Sequence, residues 1–206
     1  MALKTFVKVS GITNLSDARY CAGMQVDVLG FNLDKTSAKY VDPTVYSEIT
    51  GWVSGPEFLG EFSSLNTEEI IETIKSYEGL EWVEHADVAT LIELVEKGYK
   101  GILKIRLDEL SHIEASLVHE IKNHEVVVHL FSEKESLSEK EVTAIQNIAS
   151  QVPTLLGGSL TTEQFISLPE RLKLKGISLE GGEEIKPGLK DFDELAEILE
   201  SLEIED

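Results

Sequence analysis

The sequence predicts a single (β/α)8 barrel spanning residues 1–206. Three observations carry this reading: eight short apolar, β-branched runs, amphipathic segments of helical period between them, and short connections throughout. An open flavodoxin-like sheet would leave two or three of the runs without a place.

The first run covers residues 5–9 and leads into a helix over 14–22, where Cys21 lies beside Ala18 and Ala22 and is expected in the core. The second run, 26–31, is followed by Asp42-Pro43, a capping residue before a proline at the first helical position. After the third run, 58–62, Asn66 and Glu69 have capping-box spacing. Ile70, Ile71, Ile74 and Tyr77 then form one apolar stripe. The fourth, fifth and sixth runs are 80–83, 101–106 and 126–130, and Ser138 with Glu141 opens the next helix. The seventh run, 154–156, precedes Thr161 with Gln164. The eighth, 176–179, precedes Asp191 with Glu194 and the stripe Leu195, Ile198, Leu199 and Leu202.

A formal net charge of -20 sets the chain against nucleic acid and anionic membranes. Only three basic residues are arginines: Arg19, Arg106 and Arg171. No apolar run approaches the length of a membrane span, and Met1-Ala2-Leu3-Lys4 lacks the apolar region of a signal peptide. A single cysteine fits a reducing compartment, so a cytoplasmic location is expected. No Cys or His cluster has zinc-site spacing, and no metal is expected.

Three motifs carry chemistry. Val7-Lys8-Val9-Ser10-Gly11-Ile12-Thr13 resembles K-[IV]-C-G-[IL]-[TK], the first strand and loop of the phosphoribosylanthranilate isomerases. Pro153 to Gln164 is similar to that family's P-[VI]-[IL]-L-A-G-G-L-T-P-E-N. Gly176-Ile177-Ser178-Leu179-Glu180-Gly181-Gly182, then Glu184 and Pro187-Gly188-Leu189-Lys190-Asp191, is similar to G-[VI]-D-[VL]-S-S-G, E and P-G-x-K-D. The resemblance implies a barrel that isomerises an aminoaldose to an aminoketose in tryptophan biosynthesis. That reaction is proton transfer and implies no cofactor.

The family's site maps onto this chain residue by residue. Its general base, a Cys, falls on Ser10; its acid, an Asp on strand 6, falls in the stretch containing His129, which can carry a proton near neutral pH. Lys39 stands where the family has an anion-binding Arg, and Arg106 ends strand 5 in a K-A-[IFV]-R-like motif, with a salt bridge to Asp108 or Glu109 as the plainer reading. His85 echoes a strand-4 histidine and is equally readable as rim packing. Gly158, Ser159, Gly181 and Gly182 fall in the loops whose backbone N–H groups hold the substrate phosphate in the family. These glycines also fit tight turns. Glu180 in the second loop would oppose a phosphate if it pointed inward.

Two readings follow. In one, the chain is an isomerase of this type with impaired or lost activity, because the base, the acid and part of the phosphate site are substituted. In the other, the barrel binds a different small molecule or a protein partner. A small phosphorylated or anionic molecule is the expected ligand, and a monomer or homodimer the expected assembly.

Overall fold

In the computed structural model, eight parallel strands close into a barrel in sequence order. The structure describes residues 2–181, 184–186, 189–190 and 193–204, the side chains of 111–112, 184–186 and 189–190 excepted. The strands are β1 (Phe6–Ser10), β2 (Val28–Asn32), β3 (Glu57–Glu61), β4 (Leu80–His85), β5 (Lys100–Arg106), β6 (Val127–Ser132), β7 (Thr154–Gly158) and β8 (Gly176–Glu180). Around them lie α1 (Leu15–Gly23), α2 (Pro43–Thr50), α3 (Thr67–Ile74), α4 (Val88–Glu96), α5 (Ala115–Asn123), α6 (Glu139–Ala149), α7 (Thr162–Leu172) and α8 (Asp193–Ser201). Before α8, β9 (Glu184–Lys186) and β10 (Leu189–Lys190) pair antiparallel, a detail the apolar pattern does not signal. No described helix is long and apolar enough to cross a membrane.

Side chains alternate across each strand, so one set faces the helices and the other faces the barrel axis. The outward set, including Val7, Val9, Leu29, Phe31, Val83, Val128, Leu130 and Ile177, belongs to one continuous core with the helices. The inward set begins at the N-terminal end of the barrel with a separate cluster: Val28, Leu59, Trp82, Ile102, Val127 and Leu155, with Phe6 against it. Burying each such side chain contributes roughly 1.5–3 kcal/mol, so these two layers hold the barrel.

The capping signals act as the sequence suggests. Asn66 accepts from the Glu69 amide at 3.1 Å while Glu69 accepts from the Asn66 amide at 3.0 Å. Ser138 and Glu141 form the same reciprocal box, and Asp42 accepts from the amides of Thr44 and Val45 ahead of the turn begun by Pro43. Asn14 caps α1 by accepting from the Asp17 amide, so the helix proper starts one residue later than expected. Asp191, expected to cap α8, lies outside the described residues.

Strands β4 and β6 run two residues past their apolar patterns, to His85 and Ser132. Polar residues remain in these strands because Glu84 and His129 find partners inside the barrel. His129 is therefore not at a strand end; it is the third residue of β6 and is buried.

Cys21 is fully buried on α1 within the sheet–helix core. Alkylation of the native protein at neutral pH should be slow and should become fast on unfolding. Measurement of thiol modification against denaturant concentration checks this; rapid native-state labelling would contradict it.

Candidate active site

β1 pairs with β8 in a register that sets Ser10 beside Glu180, and the Gly181 amide donates to the Ser10 carbonyl at 2.8 Å. The C-terminal ends of the strands thus form one mouth, where the loops after β1, β2, β5, β7 and β8 converge. In barrels of this kind chemistry belongs to that end.

Beneath the mouth the inward residues change from apolar to charged. Lys8, whose side chain is 0% exposed, forms a close ion pair with Glu84 and reaches Glu61 Oε1 at 3.3 Å. Glu84 also meets His129 Nδ1 at 3.0 Å and lies 3.8 Å from the Lys104 ammonium. Lys104 sits over the Phe131 ring and is the solvent-facing member, its side chain 38% exposed. Two lysines therefore face two carboxylates around one imidazole.

Burial alone would lower the Lys8 ammonium, but Glu84 and Glu61 outweigh it and hold Lys8 above the ordinary lysine value. Burial alone would raise the Glu84 carboxyl; Lys8, then His129 and Lys104, keep it well below the usual carboxylate range. For His129 burial wins over the attraction of Glu84, so its imidazole is held below its ordinary value and is neutral near pH 7. A neutral ring bonded to a carboxylate through Nδ1 carries its hydrogen there and leaves Nε2 as an acceptor.

Two glycines make room for this network. A Cβ on Gly30 would lie 2.5 Å from Glu61 Oε1, and one on Gly157 would lie 2.6 Å from His129 Nε2. Of the sequence candidates, Ser10 stands at the end of β1, only 3% exposed. A serine hydroxyl has too high a pKa to serve as a base, and among the described residues no histidine bonds it.

The rim cations are held by rim carboxylates. Lys39 binds Glu180 at 2.9 Å on the rim over the end of β1, and a Cβ on Gly11 would touch both partners at 3.2 Å. The β2 loop that carries Lys39 is fixed by Asp34, which accepts from Thr36, Ser63 and Ser64. Those hydrogen bonds, Thr36 first, hold the Asp34 carboxyl well below its usual range. Arg106 donates to Asp108 at 3.1 Å through two nitrogens and to Glu133 at 2.7 and 3.3 Å. Asp108 was anticipated from the sequence; Glu133, supplied by the loop after β6, was not. His85 turns away from the mouth, its Nδ1 accepting from the Asp87 amide at the start of α4.

A cleft of about 770 Å³ opens beside the loops after β7 and β8, touching Gly158, Ser159 and Gly181. Its charged lining consists of Glu135, Glu180, Asp193 and Glu194, with no lysine or arginine among the described residues. Gly158 has φ +110°, and a Cβ there would lie 1.9 Å from the Ser132 carbonyl oxygen, so its glycine serves the turn. The Ser159 amide donates to that same oxygen at 2.8 Å. The Ser159 and Gly181 amides in these two loops are thus already engaged by backbone carbonyls. Gly182 lies outside the described residues. Among the described residues no group of three or more His, Cys, Asp or Glu could hold a metal ion.

Sequence reasoning passed over Lys8, Glu61, Glu84 and Lys104. Their signal was present: Val7-Lys8-Val9, Leu59-Gly60-Glu61 and Trp82-Val83-Glu84 each put a charge among apolar neighbours in a strand buried on both faces.

No family model matches the chain. A relative from Gloeothece citriformis, an N-(5'-phosphoribosyl)anthranilate isomerase, is 28% identical over 95% of this chain and 93% of its own. The phosphoribosylanthranilate isomerase of Thermotoga maritima superimposes with a TM-score of 0.76 at 20% identity, covering 96% of this chain and 98% of its own. The chain is similar to the phosphoribosylanthranilate isomerases along nearly its whole length. A further solved isomerase of that name, in complex with reduced 1-(o-carboxyphenylamino)-1-deoxyribulose 5-phosphate, superimposes at 0.73 with 20% identity over 96% of this chain and 98% of its own.

Two outcomes follow from the electrostatics. His129 is neutral in the fold, whereas an unfolded imidazole takes a proton near pH 6.5, so the stability held by the neutral ring is present above that pH and lost as pH falls. Denaturant unfolding from about pH 7.5 to about pH 5 should therefore show wild type losing stability relative to His129→Gln; parallel curves would contradict it. Replacing Glu180 with serine should release Lys39 and tighten sulfate binding several-fold by calorimetry, whereas unchanged affinity would mean that the ion pair does not guard the mouth.

Proposed function

We propose that this chain is a phosphoribosylanthranilate-isomerase-like barrel, with the layout of an aldose–ketose isomerase site and little turnover of phosphoribosylanthranilate itself. One observation carries the second half of this reading: the mouth engages its cations internally, through Lys39 with Glu180 and Arg106 with Asp108 and Glu133. The ligand named for the solved relative bears a carboxylate and a phosphate. A substrate of that kind needs cations or unbonded amides at two places.

Here the cleft beside the β7 and β8 loops presents carboxylates, and the Ser159 and Gly181 amides donate within the barrel. The net charge of -20 adds a long-range field against an anionic substrate. Ser10, at the position of the family's base, is a weak proton acceptor. A positioned acid or base typically contributes about 10²–10⁴-fold, so loss of both leaves a rate near the floor of detection.

The experiment is a fluorescence turnover assay on phosphoribosylanthranilate with wild type and Ser10→Cys. Wild type should show little or no turnover, and the cysteine should not rescue it, because groups acting as a unit are strongly non-additive. Robust wild-type turnover would overturn the reading. Robust turnover by Ser10→Cys alone would show that a working acid remains in the site.

A further inference from the structure

We propose that His129, oriented by Glu84, is the proton-transferring base of this barrel and acts on a small uncharged α-hydroxy carbonyl compound. The proposal rests on the aldose–ketose reading above and names its base and substrate class.

Geometry supplies the first argument. The hydrogen on Nδ1 is committed to Glu84 Oε2 at 3.0 Å, and Nε2 is buried with no hydrogen-bond partner among the described residues. Buried polar atoms are nearly always satisfied, and His129 Nε2, whose lone pair is unengaged, is one of four buried side-chain atoms without a hydrogen-bond partner among the described residues. A Cβ at Gly157 would lie 2.6 Å from this nitrogen, so only glycine leaves room for it. A carboxylate on one ring nitrogen and a bare lone pair on the other is the arrangement by which an imidazole accepts a proton and is stabilised once charged.

The other candidates are unsuited. Lys8 is held as a cation between Glu84 and Glu61. Ser10 has only a hydroxyl, and His85 is turned onto the start of α4. Of the groups facing His129, Glu84 comes from β4, Lys8 from β1, Lys104 from β5 and Phe131 from β6 itself. Only Lys104 among the charged ones is appreciably open to solvent, which leaves it able to approach an oxygen on a bound molecule.

Charge selects the substrate class. Lys8 and Lys104 balance Glu61 and Glu84, so an uncharged ligand keeps the interior neutral. A phosphorylated one would meet Glu180, Glu135 and the ion-paired rim first. In the reaction, Nε2 takes the proton from the carbon bearing the hydroxyl next to the carbonyl. The C–H electron pair forms the carbon–carbon double bond of an enediolate, and the carbonyl oxygen becomes the anion that Lys104 faces. Return of the proton to the former carbonyl carbon, with a hydroxyl proton moving between the oxygens, converts aldose to ketose with no other reactant.

The test is deuterium exchange in D₂O, followed by proton NMR, with glyceraldehyde, its 3-phosphate and glycolaldehyde as probes. Wild type should exchange the α-hydrogen of the neutral aldehydes, faster than that of the phosphate. His129→Gln should lower the rate by about 10²-fold or more. Glu84→Gln should both slow exchange and move the acidic limb of the pH profile, where the base takes up its proton, to lower pH, which a purely structural role would not do. In wild-type protein labelled with ¹⁵N-histidine, the spectrum should show His129 protonated on Nδ1 and bare on Nε2, a readout that survives if either variant fails to fold. No exchange above buffer on any probe, unchanged exchange in His129→Gln, preference for the phosphate, or a hydrogen on Nε2 each overturns the proposal. Phosphoribosylanthranilate turnover is measured separately, so failure there and failure here are distinct results.

Discussion

The ion pair between Lys8 and Glu84, sealed inside the barrel, is the constraint around which the upper half of the structure is arranged. Two charges taken from water need excellent geometry and further partners, and removing one partner typically costs about 3–5 kcal/mol. Every neighbour of the pair answers that demand. Glu61 adds a second carboxylate to Lys8, Lys104 adds a second cation to Glu84, and His129 supplies a hydrogen to the same carboxylate. Gly30 and Gly157 are small because Glu61 and His129 occupy the volume their side chains would take. Packing and electrostatics are one problem here.

The mouth is built on a different balance. Lys39 and Arg106 lie in or near solvent, where water screens each ion pair and leaves it worth little to stability. Their effect is on what can bind. The Asp34 cluster fixes the loop that presents Lys39, and the β1–β8 register fixes Glu180 on the other side of β1, so the pair closes over the end of β1 from two rigid supports. An incoming carboxylate must displace one that is already in place. The same geometry that leaves stability almost unchanged engages the cation that a ligand would otherwise meet.

The fold was legible because outward positions obey a simple rule. Val7, Val9, Leu29, Phe31 and Ile177 must be apolar to meet the helices, and caps such as Asn66 with Glu69 mark where helices begin. The site was legible only at strand ends, through Ser10, Lys39, Arg106 and the glycine loops. What pairs with what could not be read, because Lys8 with Glu84 and Lys39 with Glu180 are 76 and 141 residues apart. Apolar runs also mark strand ends poorly where a polar residue is satisfied indoors, which is why β4 and β6 extend past theirs.

Separate demands on the two faces of each strand explain how such a barrel keeps its shape while its interior changes. Outward residues answer to helix packing, and a charge there would open the sheet–helix layer. Inward residues near the mouth answer only to one another and to the ligand, provided that volume and charge balance hold. A chain 20% identical to a solved isomerase can therefore superimpose on it with a TM-score of 0.76. The cost of altering one inward group falls on its immediate partners: exchanging His129 removes one of the three groups that meet Glu84, and exchanging Lys8 takes the close cation from Glu84 and the ion pair from Glu61. Change at this level proceeds in sets, and the set formed by Lys8, Glu61, Glu84, Lys104, His129, Gly30 and Gly157 is internally consistent. Within it, His129 Nε2 is the one nitrogen that no described neighbour bonds, because Glu84 and the two lysines compensate each other without it.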